Sequence, residues 1–252
     1  MGPEQLSRSD AMEVALDVAI TVLNSGGSTR MADKTFHNIV SGCGYEELSA
    51  IWRLDVATAS DGGSLTVARP IGAIGVNLQR VSEAALLSDR ASRGEISVST
   101  LKSELERIRA LPHPYTMLTT LAVLTAATAG FVRLADGDWS AAACASVAAL
   151  AGYLVRFLLT YRNVPGVGPN LAAAIVSASL AGLALRLGLT GTAASTVIGS
   201  IIYLAPGLPL VNGFVDIISE RYLVIGLERV ASAALQAVLL AVALQFSAVI
   251  AI

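Results

Sequence analysis

Charged residues crowd the chain as far as Arg109 and are sparse after it. Beyond His113 the ionisable acids and bases are Arg133, Asp136, Asp138, Arg156, Arg162, Arg186, Asp216, Glu220, Arg221, Glu228 and Arg229, and no lysine occurs. Five apolar stretches fill this second part: about Tyr115–Leu134, Ala141–Tyr161, Asn170–Leu189, Ala193–Ile218 and Val230–Ile252. Each is near the ~20 residues that a helix needs to cross a hydrocarbon core. Turn and charge signals separate them: Asp136-Gly-Asp138, Arg162-Asn-Val-Pro-Gly166, Thr190-Gly191 and Glu220-Arg221, with Glu228-Arg229 at the mouth of the last. The pattern predicts a transmembrane domain of five helices over residues 112–252.

Residues 1–111 are enough for one small globular domain. Met12, Leu16, Ala19 and Leu23 recur at helical spacing opposite Glu13, Asp17 and Asn24. Gly26-Gly27 stops this helix, and Ser28 or Thr29 caps the next, with Asp33 in its first turn. Trp52, Leu54, Val56 and Thr58 alternate with Arg53, Asp55 and Ala57, the period of a strand. Asp61-Gly62-Gly63 is a turn, and Leu65 and Val67 begin a returning strand. Ile74, Leu78, Val81 and Ala85 form another helical stripe, and Leu101, Leu105, Ile108 and Leu111 a last one leading to the membrane. The expectation is an α+β domain with a β-hairpin and about four helices. Asp55 and Asp61 read as strand-edge and turn residues, and Gly72–Gly75 is too slight a pattern for a phosphate loop.

The fourth apolar stretch is interrupted. From Leu187 to Val215 there is no charge, yet Pro206 and Pro209 lie within it. A proline removes one backbone hydrogen bond and crowds the carbonyl four residues back, here the carbonyls of Ile202 and Ala205. In a bilayer such groups need partners, so a break is tolerated where it faces protein or a water-filled cavity. Broken spans with a nearby acid build transport sites; a simple kink is the plainer reading.

Composition changes this picture little. The 54% hydrophobic content and mean hydropathy of +0.65 average a polar part with an apolar one. A formal charge of −2 gives no support to nucleic-acid binding. Arginine placement predicts orientation. Arg90, Arg93, Lys102, Arg107 and Arg109 precede the first span and put the N-terminal part in the cytoplasm. The Asp136–Asp138 loop then lies outside, Arg162 inside, Thr190-Gly191 outside, and Arg221 and Arg229 inside. Arg133 and Arg186 snorkel at outer helix ends. The first residues carry no apolar leader. Cys43 and Cys144 fall in different parts and are not expected to pair, and His37 and His113 are isolated. No metal or cofactor is implied.

Ser140, Cys144, Ala148 and Gly152 share one face of the second span, and Ala174, Ala178 and Gly182 one face of the third. Small residues at this spacing pack helices closely. Asp216 is the leading candidate for a functional charge, because ionisable groups within membranes face a pathway or a partner; otherwise it is a helix-end acid beside Glu220 and Arg221. Arg229 pairs with Asp216 or meets a substrate carboxylate, unless it only sets topology. Asn212 offers an uncharged polar contact, and Asn170 adds one from the third span. Arg156 is explained by snorkelling.

The string Pro206-Gly207-Leu-Pro209-Leu-Val-Asn212-Gly213-Phe-Val-Asp216, followed by Gly226 and Arg229, resembles the signature of the threonine/serine exporter family. Ser25-Gly26-Gly27-Ser28-Thr29-Arg30 resembles that family's Gly-x-x-Thr-x-Arg-like turn. Family members often carry a glutamate two residues after this arginine; here Ala32 stands there, with Asp33 next. The resemblance covers nearly the whole chain, including the order of a polar cytoplasmic domain and five spans. It implies a secondary exporter in a bacterial-type inner membrane. Full-length members resemble two joined halves of about five spans each, and this chain resembles the first. Split systems also exist, some associated with export of succinate-like dicarboxylates rather than threonine. The implied partner is therefore a second five-span subunit. A repeat with an odd number of spans inverts if joined to its copy, placing a site between halves.

Two other classes stay open. One is a membrane-anchored regulatory or scaffold protein acting through its cytoplasmic domain, although a scaffold has no need of a broken span. The other is an intramembrane enzyme, which finds no paired aspartates, His-Glu metal motif or Gly-x-Ser-x-Gly elbow in the spans.

Overall fold

A computed structural model describes residues 7–63, 65–72 and 75–251. The chain divides into two compact units, Met1–Pro114 with Leu208–Ala231, and Tyr115–Gly207 with Ser232–Ile252.

Helix α1 (Arg8–Asn24) is the axis of the first unit. Ser7 caps it by accepting the Asp10 N–H at 3.2 Å, which satisfies one of the orphan donors of the first turn. Its buried residues include Met12, Leu16, Ala19 and Leu23 but extend well beyond that stripe. The reason is that α2 (Thr29–Gly42), α3 (Leu78–Ser92), α4 (Val98–Ala110) and the sheet all pack on it. Ser28 caps α2 by accepting the Met31 N–H. Asp33 is therefore the fifth residue of the helix, just past its first turn, and it is buried.

The sheet is antiparallel in the order β1 (Ser49–Trp52), β2 (Val56–Ser60), β3 (Thr66–Pro70). Ser49 pairs with Ser60 and Trp52 with Ala57, while Val56 pairs with Pro70. The alternation from Trp52 to Thr58 is thus two strands and not one. A tight connection lies inside it, closed by the Arg53 N–H on the Val56 carbonyl at 3.0 Å. A period of two can run through such a turn without a break in the pattern. The Asp61 turn forms as expected: its carboxylate accepts the Gly63 and Leu65 N–H groups. Those donors and Arg8 hold the carboxyl below the usual range.

Asn77 caps α3 by accepting the Arg80 N–H. Ile74, the first member of the predicted stripe, lies outside the described residues. Leu78 is exposed; Val81 is buried as expected, and Ala84, Leu87 and Ala91 rather than Ala85 share the core with it. Leu101, Leu105 and Ile108 of α4 are buried as their spacing predicts. Helix α9 (Gly207–Ile218), from Leu208 on, and the start of α10 (Leu223–Ala251) complete the unit. Ile225 joins Met12, Phe36 and Trp52 in one core.

The second unit is helical: α5 (Met117–Leu134), α6 (Trp139–Tyr161), α7 (Gly168–Arg186), α8 (Ala193–Ile201), a 3-10 turn at Ile202–Leu204, and the rest of α10. The small-residue faces pack as predicted, apart from exposed Ser140. A Cβ on Gly152 would stand 2.7 Å from the Ala173 carbonyl oxygen, and one on Gly182 2.5 Å from that of Ser247. The α5–α6 and α7–α8 loops meet, with the Thr190 hydroxyl donating to Asp138 at 3.2 Å and the Asp138 N–H to Thr192.

Among the described residues four helices are long and apolar enough to cross a membrane: Met117–Leu134, Trp139–Tyr161, Gly168–Arg186 and Leu223–Ile250. Ala193–Leu204 and Gly207–Ile218 make a fifth only if taken together, and the chain bends by 66° at the break between them. Helices of this length and composition fit a multi-pass membrane protein.

Candidate functional site

The proline break is local, and three of its carbonyls have partners. The Ala205 N–H donates to the Ile202 carbonyl at 3.0 Å and the Gly207 N–H to the Ala205 carbonyl at 2.8 Å. Gln236 donates its side-chain amide to the Leu204 carbonyl at 3.1 Å. Both carbonyls that the prolines were expected to free thus have a partner, as a low-dielectric surround demands. Pro206 stands immediately before α9. Pro209 sits in the first turn of that helix, where a missing N–H costs nothing because it has no intrahelical acceptor. Only Pro206 interrupts the helix; Pro209 does not break it.

One face of α9 carries Asn212, Gly213 and Asp216, and the opposite face carries exposed Val211, Phe214, Val215 and Ile218. Asp216 is fully buried, at 0% exposure, and Arg229 of α10 is 4% exposed. The Arg229 Nη1 lies 3.3 Å from the Asp216 Oδ2. The same oxygen accepts a hydrogen bond from the Thr29 hydroxyl at 2.7 Å. The ion pair is close but lacks hydrogen-bond geometry: the Asp216 Oδ1 and the Arg229 Nε and Nη1 have no hydrogen-bond partner among the described residues. Two turns of sequence logic produce this site. Gly213 and Asp216 are three apart on α9, and Gly226 and Arg229 are three apart on α10, so each glycine carries its charge on the same face.

The N-terminal turn closes over the other polar group of α9. Asn212 donates its side-chain amide to the Gly26 carbonyl at 3.2 Å. Gly26 has φ +90° and its absent Cβ would lie 3.0 Å from both the Gly75 carbonyl oxygen and the Leu208 side chain. Only glycine combines that backbone with that proximity.

A second cluster ties the α9–α10 loop to the same unit. Buried Asp33 accepts from the Trp52 indole at 2.9 Å and from the Tyr222 hydroxyl at 2.8 Å. Arg221 lies 3.3 Å from it. Burial, then the hydrogen bond to Asp33, pushes the Tyr222 phenol up to about 12. Glu228 accepts the Leu54 N–H at 2.9 Å and pairs with Arg53.

Of the residues singled out by sequence, Asn212, Asp216 and Arg229 are gathered in the first unit with Pro209. Pro206, Gly207 and Asn170, the last in the first turn of α7, belong to the second. Thr29, Gly26, Asp33, Tyr222 and Glu228 were not among them. The Ser25–Arg30 turn was noticeable as a motif, but nothing in the sequence links it to a helix almost two hundred positions away.

Chemically, the cluster offers a carboxylate with one open acceptor and a guanidinium with two open donors. Such an arrangement suits a proton at Asp216 and a carboxylate at Arg229. No metal-ligating group forms among the described residues.

Comparison with known proteins places these features in a family. Residues 13–251 match the ThrE family, described as a threonine/serine exporter. Over 226 residues the chain is 25% identical to a protein of Klebsiella aerogenes named as the probable succinate transporter subunit YjjP, covering 88% of this chain and 86% of that one. The Escherichia coli K12 protein of the same name is 22% identical over 226 residues, covering 88% and 87%. No solved structure matches the chain. The family match runs through both compact units, from α1 to the last residue of α10, and the chain belongs to the threonine/serine exporter family.

Proposed function

We propose that the chain is one membrane subunit of a secondary exporter of a small polar metabolite, and that Asp216 and Arg229 form its transport site. The substrate is an amino acid such as threonine or serine, or a small dicarboxylate such as succinate. The observation that carries this reading is the fully buried Asp216–Arg229 pair, in which three polar atoms have no hydrogen bond among the described residues. A buried ion pair offsets its desolvation only when its remaining lone pairs and protons are bonded. An open one is a poor structural device and a suitable place for a ligand or a proton.

The resemblance to split exporters and the relatives' description as transporter subunits support a second five-span subunit as the partner. The arginine bias supports residues 1–111 as a cytoplasmic domain, in an inner membrane, with the Asp136–Asp138 and Thr190-Gly191 loops outside. In a background lacking Cys43 and Cys144, Ser103→Cys and Gly191→Cys should label from opposite sides of the membrane. Labelling from the same side contradicts this topology.

The function is tested by loading cells with radiolabelled threonine or succinate. The cells express the chain with a five-span second subunit of a split exporter. Asp216→Asn keeps the shape and the Thr29 contact and removes the charge. Export should fall about tenfold or more, the scale of a lost charged interaction, at unchanged membrane abundance. Normal export of both compounds by Asp216→Asn overturns the site.

A further inference from the structure

We infer that Thr29 is a positioning residue for the exporter: its hydroxyl holds one oxygen of Asp216 and so keeps the Arg229 guanidinium open to substrate. The inference rests on the reading of Asp216 and Arg229 as the transport site.

The local sequence leaves this hydroxyl free for the task. Ser28 already caps α2 by accepting the Met31 N–H. Thr29, the first helical residue, is completely buried, and its hydroxyl donates to the Asp216 Oδ2 at 2.7 Å. That is the normal length of a hydroxyl–carboxylate bond. The glycines fix the turn that delivers it. Gly26 takes a left-handed φ of +90°, and a Cβ on Gly27 would stand 2.4 Å from the Val22 side chain and 2.9 Å from its carbonyl oxygen. Asn212, one turn before Asp216, donates to the carbonyl of the same turn, so α9 is held at two points.

The consequence lies in which oxygen is used. Thr29 and Arg229 both approach Oδ2, and among the described residues Oδ1 has no hydrogen-bond partner. A free carboxylate facing an arginine prefers two parallel N–H···O bonds. Thr29 holds Asp216 away from that fork, and the Arg229 Nε and Nη1 make no hydrogen bond among the described residues. The first residues of α2 thus act on the transport site rather than only on the fold of the N-terminal part.

The test uses the full chain with its membrane partner in cells loaded with graded amounts of radiolabelled threonine or succinate. Thr29→Val preserves shape and removes the hydroxyl; Thr29→Ser restores it. With Thr29→Val, Asp216 closes on Arg229, and the half-saturating concentration should rise about tenfold with maximal rate retained. Thr29→Ser should stay within about twofold of the parent. If Thr29→Val fails to accumulate, Thr29→Ala against Thr29→Ser decides in the same way. Equal impairment by the hydroxyl-free and serine variants makes the residue a packing element and overturns the inference. So does a fall in maximal rate alone, or parent-like kinetics in Thr29→Val. Asp216→Asn separates the two levels. If it exports normally, the transport-site reading has failed; if it is inactive while Thr29→Val is unaffected, only the role of Thr29 has.

Discussion

Gly213 and Gly226 meet backbone to backbone. A Cβ on Gly213 would lie 3.1 Å from the Gly226 carbonyl oxygen, and one on Gly226 2.9 Å from the Gly213 carbonyl oxygen. This contact lets α9 and α10 approach closely enough for Asp216 and Arg229, each three residues further on, to pair in a buried site. The two positions are not equivalent. At Gly226 the added carbon also meets the Ile217 backbone nitrogen at 2.9 Å, whereas at Gly213 the nearest atom is the end of the Val230 side chain.

Gly226→Ala should therefore destabilise the protein more than Gly213→Ala, by about 1–3 kcal/mol for overpacking against backbone. Thermal melting in detergent measures the order. Equal melting points, or a lower one for Gly213→Ala, would show that the helices are not held this closely.

The ion pair gives a prediction that separates stability from function. Arg229→Met leaves a fully buried carboxylate without its cation. Removing one partner of a buried pair costs about 3–5 kcal/mol. Asp216→Asn combined with Arg229→Met removes both charges and keeps an acceptor for Thr29. Its stability should return to within about 1–2 kcal/mol of the parent, while export stays lost. A double variant as unstable as Arg229→Met would mean that packing, not charge, sets the cost.

The sequence made some of this legible and hid the rest for physical reasons. Spans α5, α6 and α7 were plain because twenty apolar residues have few other uses. The charges of α9 and α10 stood out because so few occur there. Thr29 did not, because a threonine at a helix start has an ordinary local role, and its real partner is 187 positions away. Asp33 was read only as a first-turn acid because Trp52 and Tyr222, which bond it, come from a strand and a distant loop. The Trp52–Thr58 pattern concealed its turn because side-chain alternation survives a tight connection. Pro209 was read as a helix breaker because the helix start at Gly207 could not be seen.

Tyr222 yields a pH dependence outside the spans. Its folded value of about 12 lies above that of a free phenol, about 10. The neutral form is the one favoured by folding, so its contribution is complete below pH ~10 and is lost as pH rises toward 12. The difference in tyrosinate absorbance between the parent and Tyr222→Phe should show a step near the upper value. A step near pH ~10 would mean that the hydroxyl is not buried against Asp33.

The two prolines should behave differently, although both lie in the same apolar stretch. Pro206 stands between Ala205 and the first residue of α9, and its ring is what prevents an N–H there from reaching back to the Ile202 carbonyl. Pro206→Ala supplies that N–H and permits the 3-10 turn to run on into α9. Straightening the break would pull on the start of α9 and strain the bonds of Asn212 to Gly26 and Asp216 to Thr29, and export should fall severalfold while the protein still accumulates. Pro209 lies in the first turn of α9, where its fixed φ suits the helix and its missing N–H has no acceptor to lose. Pro209→Ala should leave export within about twofold of the parent, since the change costs about 0.4–1 kcal/mol in chain entropy and removes no hydrogen bond. Transport assays on the two variants at matched abundance compare them directly. Equal effects, or a larger one at Pro209, would show that the break does not set the register of α9.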